Sequence, residues 1–106
     1  MSLAELIDKK SREYEIFSNP LRTLILLFVL SKEEVAWSDL KNFLEEHIGK
    51  LNPNTLSFHL SKLLEAGYLI KVELEAQPRY KIAEDRQSEI EGMLGKELVE
   101  KIREQG

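Results

Sequence analysis

The 106 residues contain no cysteine, which excludes disulfides, thiolate zinc sites and cysteine nucleophiles. Glycine and proline are scarce, at five and three, and no low-complexity run occurs, so the composition is not that of a disordered chain. Long apolar runs are missing too. The longest, residues 24–30, covers seven positions, against the roughly 20 that a membrane helix requires. A secretory leader would place its apolar core near the start, where Glu5, Asp8, Lys9 and Lys10 stand instead. The expectation is a soluble, cytoplasmic protein with no membrane partner. Only two histidines are present, His47 and His59, and neither has a partner at ligand spacing apart from glutamates near His47, so no metal and no cofactor are expected. No glycine-rich phosphate loop or Ser/His/Asp order appears, and the pair Glu45 and Glu46 reads as solvent-facing. No enzyme is expected.

Excess positive charge is lacking as well. The formal net charge of −4 works against nucleic acid, because phosphate neutralisation drives such binding. Its distribution softens the objection. Residues 51–82 carry Lys62, Lys71, Arg79 and Lys81 against Glu65, Glu73 and Glu75, whereas residues 83–106 hold seven acidic and four basic side chains. The acidity is concentrated in the last quarter.

What is present is enough apolar material, 42%, for the core of one domain of ordinary size. Residues 3–17 read as an amphipathic helix with Leu3, Leu6, Ile7, Tyr14 and Phe17 at helical spacing. Asn19 and Pro20 form a cap-then-proline start for a helix running to about Ser31, apolar on all sides and therefore buried on more than one face. Val35 and Ala36 suit only a very short strand. Ser38 is the expected cap of a helix that buries Leu40, Phe43 and Leu44 and stops before Gly49. Asn52 and Pro53 repeat the start signal for a helix over 53–66, with Gly67 as its stop. Residues 68–74 alternate, with Ile70, Val72 and Leu74 on one side and Lys71 and Glu73 on the other. Residues 75–78 break the pattern and 79–82 alternate again, as in a β-hairpin with a polar tip. A single last helix is expected over about 84–104, striped by Ile90, Leu94, Leu98 and Ile102 with Met93 beside them. The expected class is α+β, mainly α. Three units are expected: an N-terminal helix (1–18), a three-helix core with a hairpin wing (19–83), and a C-terminal helix (84–106).

The segment 52–70, NPNTLSFHLSKLLEAGYLI, closely resembles the recognition helix and following turn of ArsR- and MarR-like winged helix-turn-helix transcriptional regulators. Asn19-Pro20-Leu21-Arg22 before an apolar helix looks like their first core helix. Pro78-Arg79-Tyr80-Lys81-Ile82 is similar to the return strand of their wing. The resemblance covers about residues 19–83. The chain departs from the family in having none of the cysteines by which some members bind metal, and its stretch from Leu44 to Thr55 is longer than in the tightest members. The resemblance implies a double-stranded DNA partner, with helix 53–66 in the major groove and the wing 70–82 near the minor groove.

Helix geometry bears on the same face independently. At 3.6 residues per turn, Leu56, Leu60 and Leu63 fall on one side. Phe58 lies nearly opposite, flanked by Asn54, Thr55, Ser57, Ser61 and Lys62. Asn can pair with adenine, Thr and Phe can touch a thymine methyl, and Ser and Lys can reach a base or phosphate. In the wing Arg79 and Lys81 are expected on one side, with Lys71 beside them, and Arg is favoured in a narrow minor groove. His59, at the edge of the core face, reads as a packed or hydrogen-bonded structural residue.

The apolar helix 20–31, together with the stripes of the two terminal helices, suggests a homodimer joined through Leu3, Leu6, Ile7, Tyr14, Ile90, Met93, Leu94, Leu98 and Ile102. The other arrangement is a monomer in which the terminal helices fold back over the core. The leading functional expectation is a DNA-binding regulator. The alternative is a winged-helix module that docks a protein through the Phe58 face.

Overall fold

The computed structural model describes residues 2–74 and 77–105. In chain order it contains helix α1 (Leu3–Phe17), helix α2 (Pro20–Ser31), strand β1 (Val35–Ala36), helix α3 (Trp37–Ile48), helix α4 (Pro53–Glu65), strands β2 (Leu69–Leu74) and β3 (Gln77–Ile82), a 3-10 turn (Glu84–Arg86), and helices α5 (Gln87–Leu94) and α6 (Lys96–Gln105). The fold is α+β and mainly α, with a β-hairpin following the helices, an order consistent with a winged helix-turn-helix bearing extra helices at both ends. Among the described residues no helix is long and apolar enough to cross a membrane.

Side-chain caps set three of the helix starts, with Ser2 Oγ accepting from the Glu5 N–H at 3.2 Å at α1 and asparagines at α2 and α4. The Asn19 Oδ1 accepts from the Leu21 and Arg22 N–H groups at 2.9 and 3.3 Å. The Asn52 Oδ1 accepts from the Asn54 N–H at 2.8 Å, and each asparagine is followed by proline in the first turn, where no N–H is needed. Helix α3 starts differently. Ala36 occupies its cap position without a side-chain hydrogen bond, because β1 runs straight into the helix and pairing with Arg79 already holds Ala36 extended. Ser38 therefore lies inside the first turn and does not cap it. Helix α4 stops before Gly67, whose φ of +80° suits glycine alone without strain.

Helix α2 is the centre of the molecule. Ile25, Leu26, Leu27 and Val29 are buried, and α1, α3, α4, α5, α6 and β3 all pack on it. Its apolar circumference is thus largely covered within one chain, with Leu21, Leu24, Phe28 and Leu30 left half-buried. The C-terminal segment completes this cover as two helices, not the expected one. Gly95, at φ +93°, ends α5 and resets the helical phase, so α6 turns Val99 and Ile102 inward while Leu98 is left 44% exposed. Ile90, Leu94 and Ile102 lie in the chain's own core, which corrects their expected place on a dimer surface, and Met93 is half-buried. Arg103 pairs with Glu91 at 2.5 Å and holds α6 to α5. On α1, by contrast, Leu3, Leu6, Ile7 and Tyr14 are exposed.

The sheet is antiparallel in the order β1-β3-β2. Directly opposed residues share a face. Val35 opposes Tyr80, Tyr80 opposes Lys71, and Leu69 opposes Ile82, so the buried Val35, Leu69, Tyr80 and Ile82 make the inner face. Arg79 opposes Val72, and Lys81 opposes Ile70. The outer face therefore carries Ile70, Val72, Arg79 and Lys81. Lys71 lies on the Tyr80 side, not beside Arg79 and Lys81 as expected. Gln77 and Pro78, expected in the tip, belong to β3. Of the rest of the expected tip, Glu75 and Ala76 lie outside the described residues, as does the side chain of Leu74.

Candidate nucleic-acid interface

Helix α4 is seated by Leu56, Leu60 and Leu63, all buried, and by His59. Beneath His59 sits Arg22, only 8% exposed. Its Nε donates to the Ile16 carbonyl at 3.0 Å, one terminal nitrogen donates to the Glu15 carbonyl at 3.1 Å, and the other lies 3.4 Å from His59 Nδ1. The two carbonyls belong to the last turn of α1, the negative end of its dipole, which supplies the buried cation with countercharge from backbone. Arginine cannot accept a hydrogen bond, so His59 Nδ1 accepts and its ring proton sits on Nε2. Burial, and after it the charge of Arg22, holds the His59 pKa below the ordinary histidine value and keeps the ring neutral at neutral pH. One guanidinium thus joins α1, α2 and α4.

The connection before α4 is also built. Glu45 Oε2 accepts from the Leu51 N–H at 2.9 Å, and Oε1 pairs with Lys41 at 3.1 Å. The Leu51 N–H, followed by Lys41, holds this carboxylate below its usual range. Leu51 is buried, so Glu45 pins the longer connection 49–52 to the core instead of facing solvent as its sequence context suggests. Glu46 is exposed. At the far end of α4, Arg86 donates to the Ala66 carbonyl at 3.3 Å, stacks over the Tyr68 ring at 4.3 Å and pairs with Glu89 at 2.5 Å.

Held at both ends, α4 turns Asn54, Thr55, Ser57, Phe58, Ser61 and Lys62 outward together, all exposed. Asn54, Phe58, Ser61 and Glu65 run along the crest at helical spacing. Phe58 is 55% exposed, with the Lys62 ammonium 5.5 Å from its ring centroid and the His59 ring edge-on at 5.3 Å. Glu65, which the sequence reading leaves out, places a carboxylate at the C-terminal end of the crest. A polyanion is therefore best met by the first turns of the helix.

The hairpin does not present its cations as one surface. Arg79 Nε donates to Glu34 Oε2 at 3.2 Å, and Lys71 pairs with Glu73 at 3.4 Å. Lys81, half-buried, borders a shallow cleft of about 920 Å³ shared with Arg79, Lys32 and the carboxylates Glu33, Glu34 and Glu84. Arg22, Glu45 and Arg86 are the positioning residues that the sequence reading passes over. For Arg22 a signal exists: a cation in the first turn of an apolar helix opposes the helix dipole and so calls for a partner from elsewhere.

Among the described residues no group of three or more His, Asp or Glu side chains is arranged to hold a metal ion. No protein-family model matches this chain, and no curated protein matches it.

Proposed function

We propose that this chain is a DNA-binding transcriptional regulator of the winged helix-turn-helix type, similar to the ArsR- and MarR-like regulators. It acts in the cytoplasm as a homodimer on a two-fold-related site, without catalysis, metal or cofactor. The observation that carries this reading is the outward face of α4. There Asn54, Thr55, Ser57, Ser61 and Lys62 surround Phe58 on a helix fixed at both ends, and such a donor, acceptor and methyl-contacting set suits base edges in the major groove. Exposed Leu3, Leu6, Ile7 and Tyr14 on α1 support the homodimer, since each large apolar side chain covered gains about 1.5–3 kcal/mol.

Anisotropy of a labelled mixed-sequence duplex, titrated with salt, tests the reading. Binding at low salt whose log affinity falls linearly with log salt is the expected result. Absence of binding at low salt would leave the second reading, a protein-docking winged helix. That reading is favoured by one observation, the engagement of Arg79 and Lys71 by Glu34 and Glu73. For the homodimer, sedimentation equilibrium should give twice the chain mass, reverting to the monomer mass when Leu3→Ser and Ile7→Ser are combined.

A further inference from the structure

Phe58 is the exposed large apolar side chain of α4, and two side chains of the same helix border its ring. The Lys62 ammonium covers one region of the ring, and the buried His59, itself held by Arg22, braces its edge. A ring held in this way loses little further freedom on contact. Its neighbours one turn to either side along the crest, Asn54 and Ser61, are small and polar. An isolated, ordered apolar knob among polar groups matches one feature of the major-groove floor, where nitrogen and oxygen atoms are interrupted by a single apolar group, the C5-methyl of thymine. A protein-docking surface would instead favour a contiguous apolar patch.

We infer that Phe58 is the specificity-determining residue of α4 and reads the C5-methyl of thymine, with Lys62 and His59 holding the ring in place. The inference rests on the DNA-binding reading given above. It assigns a base preference that the polar residues of the crest do not supply, because uracil presents the same O4 acceptor without the methyl.

Three duplexes of equal length test it without knowledge of the target sequence: alternating adenine and thymine, the same with uracil for thymine, and mixed sequence. The thymine duplex should bind about fourfold more tightly than the uracil duplex for each methyl contacted, the equivalent of about 0.8 kcal/mol for one buried carbon. Phe58→Ala should bind both alternating duplexes equally, at the uracil level of the unaltered protein, and Phe58→Leu should keep part of the difference. Equal binding of thymine and uracil duplexes by the unaltered protein overturns the assignment while leaving DNA binding intact. A difference that survives Phe58→Ala assigns the methyl contact elsewhere and overturns it too. No binding to any duplex, mixed sequence included, overturns the DNA-binding reading itself.

Discussion

Helix α4 and the β2–β3 hairpin carry the same assignment from sequence, yet their polar side chains are placed differently. On α4 the groups that could meet DNA project outward, with Lys62 over the Phe58 ring and no carboxylate against it among the described residues. On the hairpin the basic groups are divided between two faces, and two of them already hold carboxylates. A count of basic residues treats both regions alike, but a cation paired within the chain must give up that partner before it can meet a phosphate. The two sides also differ in packing, since the inner side of α4 rests on core leucines and a buried Arg22–His59 contact and the inner hairpin face on Leu69, Tyr80 and Ile82, while the outer hairpin face leaves Ile70 42% exposed.

The sharpest test of that contrast is stability. Leu60→Ala should cost about 2–5 kcal/mol by urea unfolding, as expected for a buried leucine, whereas Val72→Ala on the outer hairpin face should cost less than about 1 kcal/mol. Equal losses would mean that the outer hairpin face is packed as tightly as the inner side of α4.

Titration should separate the regions next. His59 has its pKa lowered in the fold, so the stability tied to its neutral ring is complete above the unfolded value near 6.5 and is lost as pH falls below it. Burial raises the pKa of Tyr80 under the hairpin, so stability tied to its neutral phenol is complete below about 10 and is lost as pH rises further. Acid should therefore loosen α4 and leave the hairpin, whereas alkali should loosen the hairpin together with the C-terminal end of α4, because burial raises the pKa of Tyr68 as well. Hydrogen exchange followed across pH checks this, and simultaneous loss of protection in both regions in acid would erase the distinction.

Smaller effects are expected in DNA binding. Lys62→Ala should reduce the salt slope by about one unit per subunit, and Lys71→Ala should leave it nearly unchanged. The smallest effect belongs to Arg79→Ala, which removes a half-exposed ion pair worth about 0–1 kcal/mol and should not alter the slope. Glu34→Gln should do more than Arg79→Ala, because it frees the guanidinium and strengthens binding at low salt. A slope reduced by Arg79→Ala in the presence of Glu34 would show that this pair opens readily on DNA.

The legible parts of the fold were those set by short-range chemistry. Asn19 and Asn52 cap helices through hydrogen bonds to backbone two or three residues ahead, and Gly67 stops α4 within one turn, so each signal lies inside a few residues. The exposed side of α4 was legible for the same reason, because helical spacing alone separates Leu56, Leu60 and Leu63 from Phe58. The hairpin faces were not. In sequence one face of β2 is apolar, with Ile70, Val72 and Leu74, and the other mixes Leu69 with Lys71 and Glu73, yet the choice falls to its partners, since Val35, Tyr80 and Ile82 draw Leu69 inward and leave Ile70 outside. The C-terminal stripe misled because four-residue spacing across Gly95 assumes an unbroken helix, and the positive φ there substitutes Val99 for Leu98. Arg22 and His59 stand 37 positions apart, beyond the reach of any local pattern.

The grip of Arg22 on the carbonyls of Glu15 and Ile16 also decides where this molecule can be cut. The expected boundary between residues 18 and 19 is crossed by these hydrogen bonds. Excising α1 would leave a guanidinium in the interior without the oxygens that balance it, and trimming from residue 84 onward would strip α5 and α6 from the apolar flank of α2. Helix α4 is therefore not portable on residues 19–83 alone. The smallest piece that could be transplanted with its geometry intact includes the helices on either side.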